Sequence, residues 1–185
     1  MVIVRYTRIA VVLHWLIATL MIGNVTLGLS VDFLPDPWIR SVIDTHKATG
    51  ITLLGLVLLR LLWRATHSPP PWPARYANWE RRGAAIAHVG MYALMLALPV
   101  SGWLHDSAWK DAATHPMRLF GLVPWPRISA ISNLEPTLKE TLHTLFGVWH
   151  RDFGYVLYAM VMLHVMAALK HQYLDGEPEL QRMSL

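Results

Sequence analysis

Two histidines, His150 and His164, lie fourteen residues apart within one long apolar run, residues 146–169. On an α-helix fourteen residues make almost four turns and rise about 21 Å, so both imidazoles lie on one face. The hydrocarbon core of a bilayer is roughly 30 Å thick. A single helix therefore presents a nitrogen ligand near each membrane surface, both pointing the same way. That is the spacing needed to hang two haems one above the other, provided a facing helix supplies the second imidazole of each. One intramembrane histidine is as readily a buried, hydrogen-bonded residue. An ionisable group at that depth is costly, however, and two on one stripe favour ligation.

The chain that must position them has 185 residues, 54% hydrophobic and only 15% charged, with a mean hydropathy of +0.35. Four stretches are long and apolar enough to cross a bilayer, which predicts an all-α integral membrane protein. The expectation is one transmembrane domain, 1–185: a four-helix bundle with helices at about 7–30, 43–64, 84–104 and 145–172 and an outer loop at 106–144. The first run follows Arg5 and Arg8 but is too long for a signal peptide, and it contains His14 and Asn24. It is read as a retained helix. Cysteine is absent, which excludes disulfides, thiolate-held iron–sulfur clusters and covalent haem attachment. Any haem is then non-covalent. The net charge of +4 follows membrane topology, with basic residues beside apolar segments, and does not point to nucleic acid.

The loop after the second helix contains the proline run Pro69–Pro73 and, with its flanks, holds Arg60, Arg64, Arg75, Arg81 and Arg82. By the positive-inside rule this loop is cytoplasmic, and so are both termini. Arg60 is expected to snorkel to the headgroups, Pro99 to kink the third helix, a short interfacial helix to form around 135–142, and the chain to end in a short polar tail. Several tryptophans at predicted helix ends, Trp15, Trp63, Trp103 and Trp149, suit an interfacial belt.

Depth sorts the ten histidines. His46 and His150 fall near the outer surface, and His14, His88 and His164 near the inner one. His67, His105, His115 and His143 fall in loops or at helix ends, where solvated or capping roles are the default. The outer pair is then His46 with His150, whereas His164 can take either His14 or His88. A haem edge beside a helix needs a small residue one turn from its ligand. Ala18, Gly50, Gly154 and Ala168 follow His14, His46, His150 and His164 at that interval, while Tyr92 follows His88. This favours His14, although His143 also passes through Gly147.

The HW pair at 14–15, the H-x-x-x-G of THKATG, the ALPVSG end of the third helix, and the H-x13-H of the fourth followed by LHVMAALKHQY resemble the prokaryotic cytochrome b561 family. The similarity spans nearly the whole chain and extends to the LFGLVPW segment of the outer loop. It implies a four-helix bundle with two b haems, whose iron ligands are His14, His46, His150 and His164, paired His14–His164 and His46–His150. It implies ubiquinone as acceptor on the inner side, near His88 and His171, and superoxide as donor on the outer side, in a bacterial inner membrane.

Two axial imidazoles leave no open iron position, so the expected chemistry is electron transfer. His88 and His171 are candidates for hydrogen bonding and protonating the quinone oxygens. Lys47 and Arg151, each next to an outer ligand, are candidates for binding haem propionates or steering an anionic donor. Two other readings use the same residues. One is a b-type membrane subunit passing electrons between quinone and a partner dehydrogenase or hydrogenase. The other is a haem-free transporter using histidine for a divalent metal, which lacks the usual intramembrane carboxylates.

Overall fold

The computed structural model describes residues 3–73 and 75–185. Four long helices carry the architecture: α1 (Arg8–Ser30), α2 (Asp36–Thr66), α3 (Asn78–Ser107) and α5 (Pro136–Tyr173). All four are long and apolar enough to cross a membrane. A small cap joins α3 to α5, containing the two-stranded hairpin β1 (Arg118–Leu119) and β2 (Val123–Pro124) and the short α4 (Ser129–Ser132). A last turn, α6 (Glu179–Arg182), follows α5. We call the two ends of the bundle the cap end and the terminal end.

The helices outrun the sequence expectation. Pro37 sits in the first turn of α2, where its missing N–H costs nothing, so that helix starts at Asp36. Glu80 accepts from the Ala77 N–H and starts α3 at Asn78. The helix then continues through Pro99 to Ser107. The short helix expected at 135–142 is instead the opening of α5, capped where Glu135 accepts from the N–H groups of Thr137 and Leu138. With 38 residues, α5 is about 57 Å long and must project beyond the hydrocarbon core.

α1 packs on α2, α2 on α3, and α3 on α5. Where α1, α2 and α3 meet, Ile17, Leu53 and Val57 form a core flanked by Leu20, Leu56, Tyr92 and Leu96. Large apolar side chains such as Ile22, Ile86 and Leu163 point outward, as a lipid-facing surface requires.

Polar contacts close both ends. At the cap end the Arg127 guanidinium donates to Asp106 (2.8 Å) and to the carbonyls of Ala112 and His115. Asp106, 3% exposed, also pairs with Lys47. At the terminal end residues 174–185 form a folded strap, which corrects the expectation of a simple polar tail. Arg182 is buried and donates to the Pro71 carbonyl (2.8 Å) and to Glu179. Its own carbonyl accepts from the Tyr6 N–H, and the Trp15 indole donates to the Met183 carbonyl.

Candidate functional site

At the cap end His46 on α2 faces His150 on α5, ring centroids 6.0 Å apart. Two imidazole nitrogens each about 2 Å from a shared metal leave the ring centres about 6 Å apart. Each ring is held by backbone: Nδ1 of His46 lies 2.9 Å from the Asn24 carbonyl oxygen, and Nδ1 of His150 lies 3.0 Å from that of Leu98. Donating Nδ1–H this way leaves Nε2 with a free lone pair, the tautomer a metal ligand needs. Glycines make the approach possible. A Cβ on Gly28 would meet the His46 ring at 3.1 Å, and one on Gly102 the His150 ring at 3.0 Å.

Both imidazoles line a cavity of about 610 Å³ with walls from all four long helices. Gly50 and Gly154, one turn after the two ligand candidates, both line it, and a Cβ at Gly154 would meet nothing within 4 Å. The open space, two facing imidazoles with Nε2 free of hydrogen bonds to backbone and an apolar wall suit a haem. Arg40, Lys47 and Arg151 stand on the wall as cations able to meet carboxylates.

At the terminal end His164 has two imidazole neighbours, His14 at 6.2 Å and His88 at 5.6 Å between ring centres. The geometry brings all three together, so the choice left open by depth alone remains open on distance. Arg60 corrects its expected role. Rather than snorkelling outward, it donates to the Ala10 carbonyl on α1 (2.7 Å) and to the Tyr92 hydroxyl on α3 (3.0 Å). These partners lie one turn from His14 and from His88, which places a cation beside the ring cluster.

His88 and His171 do not stand side by side. The proline loop inserts Trp72 and Tyr76 into a file of rings: His88 to Trp72 at 6.2 Å, Trp72 to Tyr76 at 6.3 Å, and Tyr76 to His171 at 4.1 Å. Tyr76 is buried, and its hydroxyl donates to Glu179 at 2.6 Å. Burial, reinforced by that carboxylate, raises the phenol above its ordinary range.

The family model described as prokaryotic cytochrome b561 matches residues 5–184 of the chain. The chain belongs to the prokaryotic cytochrome b561 family. It is 31% identical over 182 residues to "Cytochrome b561 homolog 2" of Escherichia coli K12, covering 97% of this chain and 90% of that protein. It is 26% identical to "Probable superoxide oxidase CybB" of Yersinia pestis, covering 97% and 95%. It is 23% identical to "Cytochrome b561 homolog 1" of E. coli K12, covering 97% and 96%. Membership makes it a membrane electron-transfer protein that binds b-type haem.

Some features of this cytochrome b561 escape sequence reasoning. Lys47 is not a free cation: it pairs with Asp106 at 2.5 Å and lies over the Trp109 ring. Arg151 pairs with its neighbour Asp152 at the exposed surface. His105 and His143, expected to be solvated or capping, stack at 3.9 Å and each donates Nδ1–H to the other's carbonyl, tying α3 to α5. Gly28 and Gly102 carried a signal in the sequence, because glycine within a helix is costly unless a close approach needs it.

Proposed function

We propose that this cytochrome b561 takes electrons from superoxide at the cap end and passes them to ubiquinone at the terminal end. The path runs through two b-type haems, held by His46 with His150 and by His14 with His164. Residues 1–185 act as one transmembrane unit. The cap end then faces outward from a bacterial inner membrane, and both termini are cytoplasmic, consistent with the arginines of the proline loop and its flanks. The observation that carries this reading is the pair of facing imidazole sets on one face of α5, fourteen residues apart. It supports a ligand pair toward each membrane surface, about 21 Å apart.

A b-type haem supplies a one-electron couple. The protein's contribution would be to offer two imidazoles to each haem iron, which would favour electron transfer over dioxygen chemistry, and to keep the cavity apolar. His46 and His150 hold their orientation through the Asn24 and Leu98 carbonyls. Arg40, Lys47 and Arg151 line the cavity and would supply positive charge near the carboxylates of a bound haem. Two superoxide anions each lose one electron to give dioxygen, and one quinone takes two electrons and two protons to give quinol. The name of the Yersinia relative supports superoxide as the donor.

Stopped-flow mixing of the oxidised protein with superoxide tests this reading. The expected result is fast appearance of a low-spin reduced spectrum, discharged on adding ubiquinone. Reduction by superoxide no faster than that of free haem overturns the donor and leaves a partner enzyme as the electron source.

A further inference from the structure

Electron transfer alone does not explain a charged cluster at the terminal end. The Nδ1 of His171 lies 2.6 Å from Oδ2 of Asp175. Lys170 lies 2.8 Å from that same oxygen and 2.8 Å from Oε1 of Glu80 on α3. Glu80, His171 and Asp175 have the donor set of a cation site. The Lys170 ammonium already bridges the two carboxylates, so a metal ion finds its place taken. The other face of the His171 imidazole is covered by Tyr76. Lys170 is half-exposed and Asp175 one-third exposed, so water reaches the cluster, whereas His171 is mostly buried.

We propose that Asp175 is a positioning residue that holds His171 as the proton donor to a quinone reduced at the terminal end, with Lys170 and Glu80 anchoring Asp175. This rests on the reading of the terminal end as the quinone side. The doubly protonated imidazole gives its Nε2 proton to a reduced quinone oxygen. Asp175 retains the Nδ1–H throughout, so the ring keeps one orientation and one tautomer. Nε2 then takes a new proton from the aqueous phase. Two such cycles accompany the two electrons that convert quinone to quinol, and no further oxidant or reductant is needed.

The surroundings agree with this division of labour. Hydrogen bonds from Lys170 and His171 hold the Asp175 carboxyl below the usual carboxylate range, so it stays an anion and does not itself carry the proton. The charged and titratable groups facing the dyad are Glu80 from α3, Lys170 from α5, Tyr76 and Arg75 from the proline loop, and Glu177 and Glu179 from the strap. Arg75 pairs with Glu177, and Glu179 pairs with Arg182 and accepts from Tyr76. The Glu177 N–H donates to the His171 carbonyl, which ties the strap to that residue's backbone.

The test uses the holoprotein in liposomes, reduced by dithionite rather than superoxide, and mixed with a short-chain ubiquinone. Asp175→Asn keeps the side-chain shape and loses the charge. Its haem reoxidation should slow about tenfold at mildly alkaline pH, recover at mildly acid pH and show a larger solvent deuterium isotope effect. Asp175→Glu should restore much of the rate. Equilibrium redox titration supplies a readout independent of turnover. The pH dependence of the terminal-end haem potential should be present in the wild type and reduced in Asp175→Asn. Glu80→Gln, which leaves the dyad intact, should show the same changes more weakly.

A wild type that reduces quinone, alongside an Asp175→Asn variant with unchanged pH profile, isotope effect and potential, overturns the Asp175 proposal alone. A wild type that reduces no quinone overturns the quinone reading and this proposal with it.

Discussion

Nδ1 of His150 lies 3.0 Å from the carbonyl oxygen of Leu98, and the same ring rests on Gly102 one turn further along α3. Backbone therefore fixes both the direction and the depth of this imidazole. His46 stands in the same relation to Asn24 and Gly28 on α1.

Steric bulk at either glycine should displace a ligand without altering the ligand itself. Gly102→Leu or Gly28→Leu should lower haem content from two per chain to one, measured as pyridine haemochrome against protein. Gly23→Leu is the control, because a Cβ there meets nothing within 4 Å, and it should retain both.

The neighbours of His164 can be separated by the same measurement. His14→Ala should remove the terminal-end haem, whereas His88→Ala should leave two haems and slow quinone reduction. Loss of a haem from His88→Ala alone would assign the ligand to His88.

Arg60 places positive charge beside the terminal-end rings. Positive charge favours the reduced metal, so Arg60→Gln should lower the potential of that haem. A fall of roughly 60 mV corresponds to a tenfold change in the one-electron equilibrium. Redox titration of the α-band checks it, with the cap-end potential as internal reference.

Acid should loosen the strap through Asp175. Its carboxyl is depressed in the folded protein, so its contribution is complete above the unfolded value of about 3.9 and is lost as pH falls through the folded one. Protection of amides across 174–185, measured relative to intrinsic exchange rates, should be high at neutral pH and fall in strong acid. In Asp175→Asn, where the remaining strap contacts persist, the acid-dependent fall should be smaller.

The cations near the cap-end cavity are largely balanced: Lys47 by Asp106, Arg151 by Asp152 and Arg40 by Asp44. Reduction by superoxide should therefore slow only mildly with added salt, about twofold or less across a range that shortens the screening length to a few Å. Lys47→Gln should act mainly through haem retention.

The helices and the ring-bearing face of α5 were legible because hydrophobic length and the helical repeat are local properties of the chain. Gly50 and Gly154 followed from the same repeat. The partners of Gly28 and Gly102 were not legible, because their contacts join helices distant in sequence. Arg60 misled for a related reason. Its position near the end of an apolar run suggested the headgroups, but α2 runs on to Thr66 and its Ala10 and Tyr92 partners draw it inward. Trp72, Tyr76 and the strap lie in short segments without periodicity, where only the folded chain brings the rings and charges together.

α1 packs on α2 and α5 on α3, and these two hairpins join each other along α2 and α3. Across the remaining side imidazoles face one another, His14 toward His164 and His46 toward His150, beside the strap contacts of Tyr6 and Trp15. On the proposed ligand scheme, haem would brace these two hairpins as well as carry electrons. A chain made without haem would keep the α2–α3 packing and the strap but lose that brace across α5, so its resistance to proteolysis should rise with haem supply.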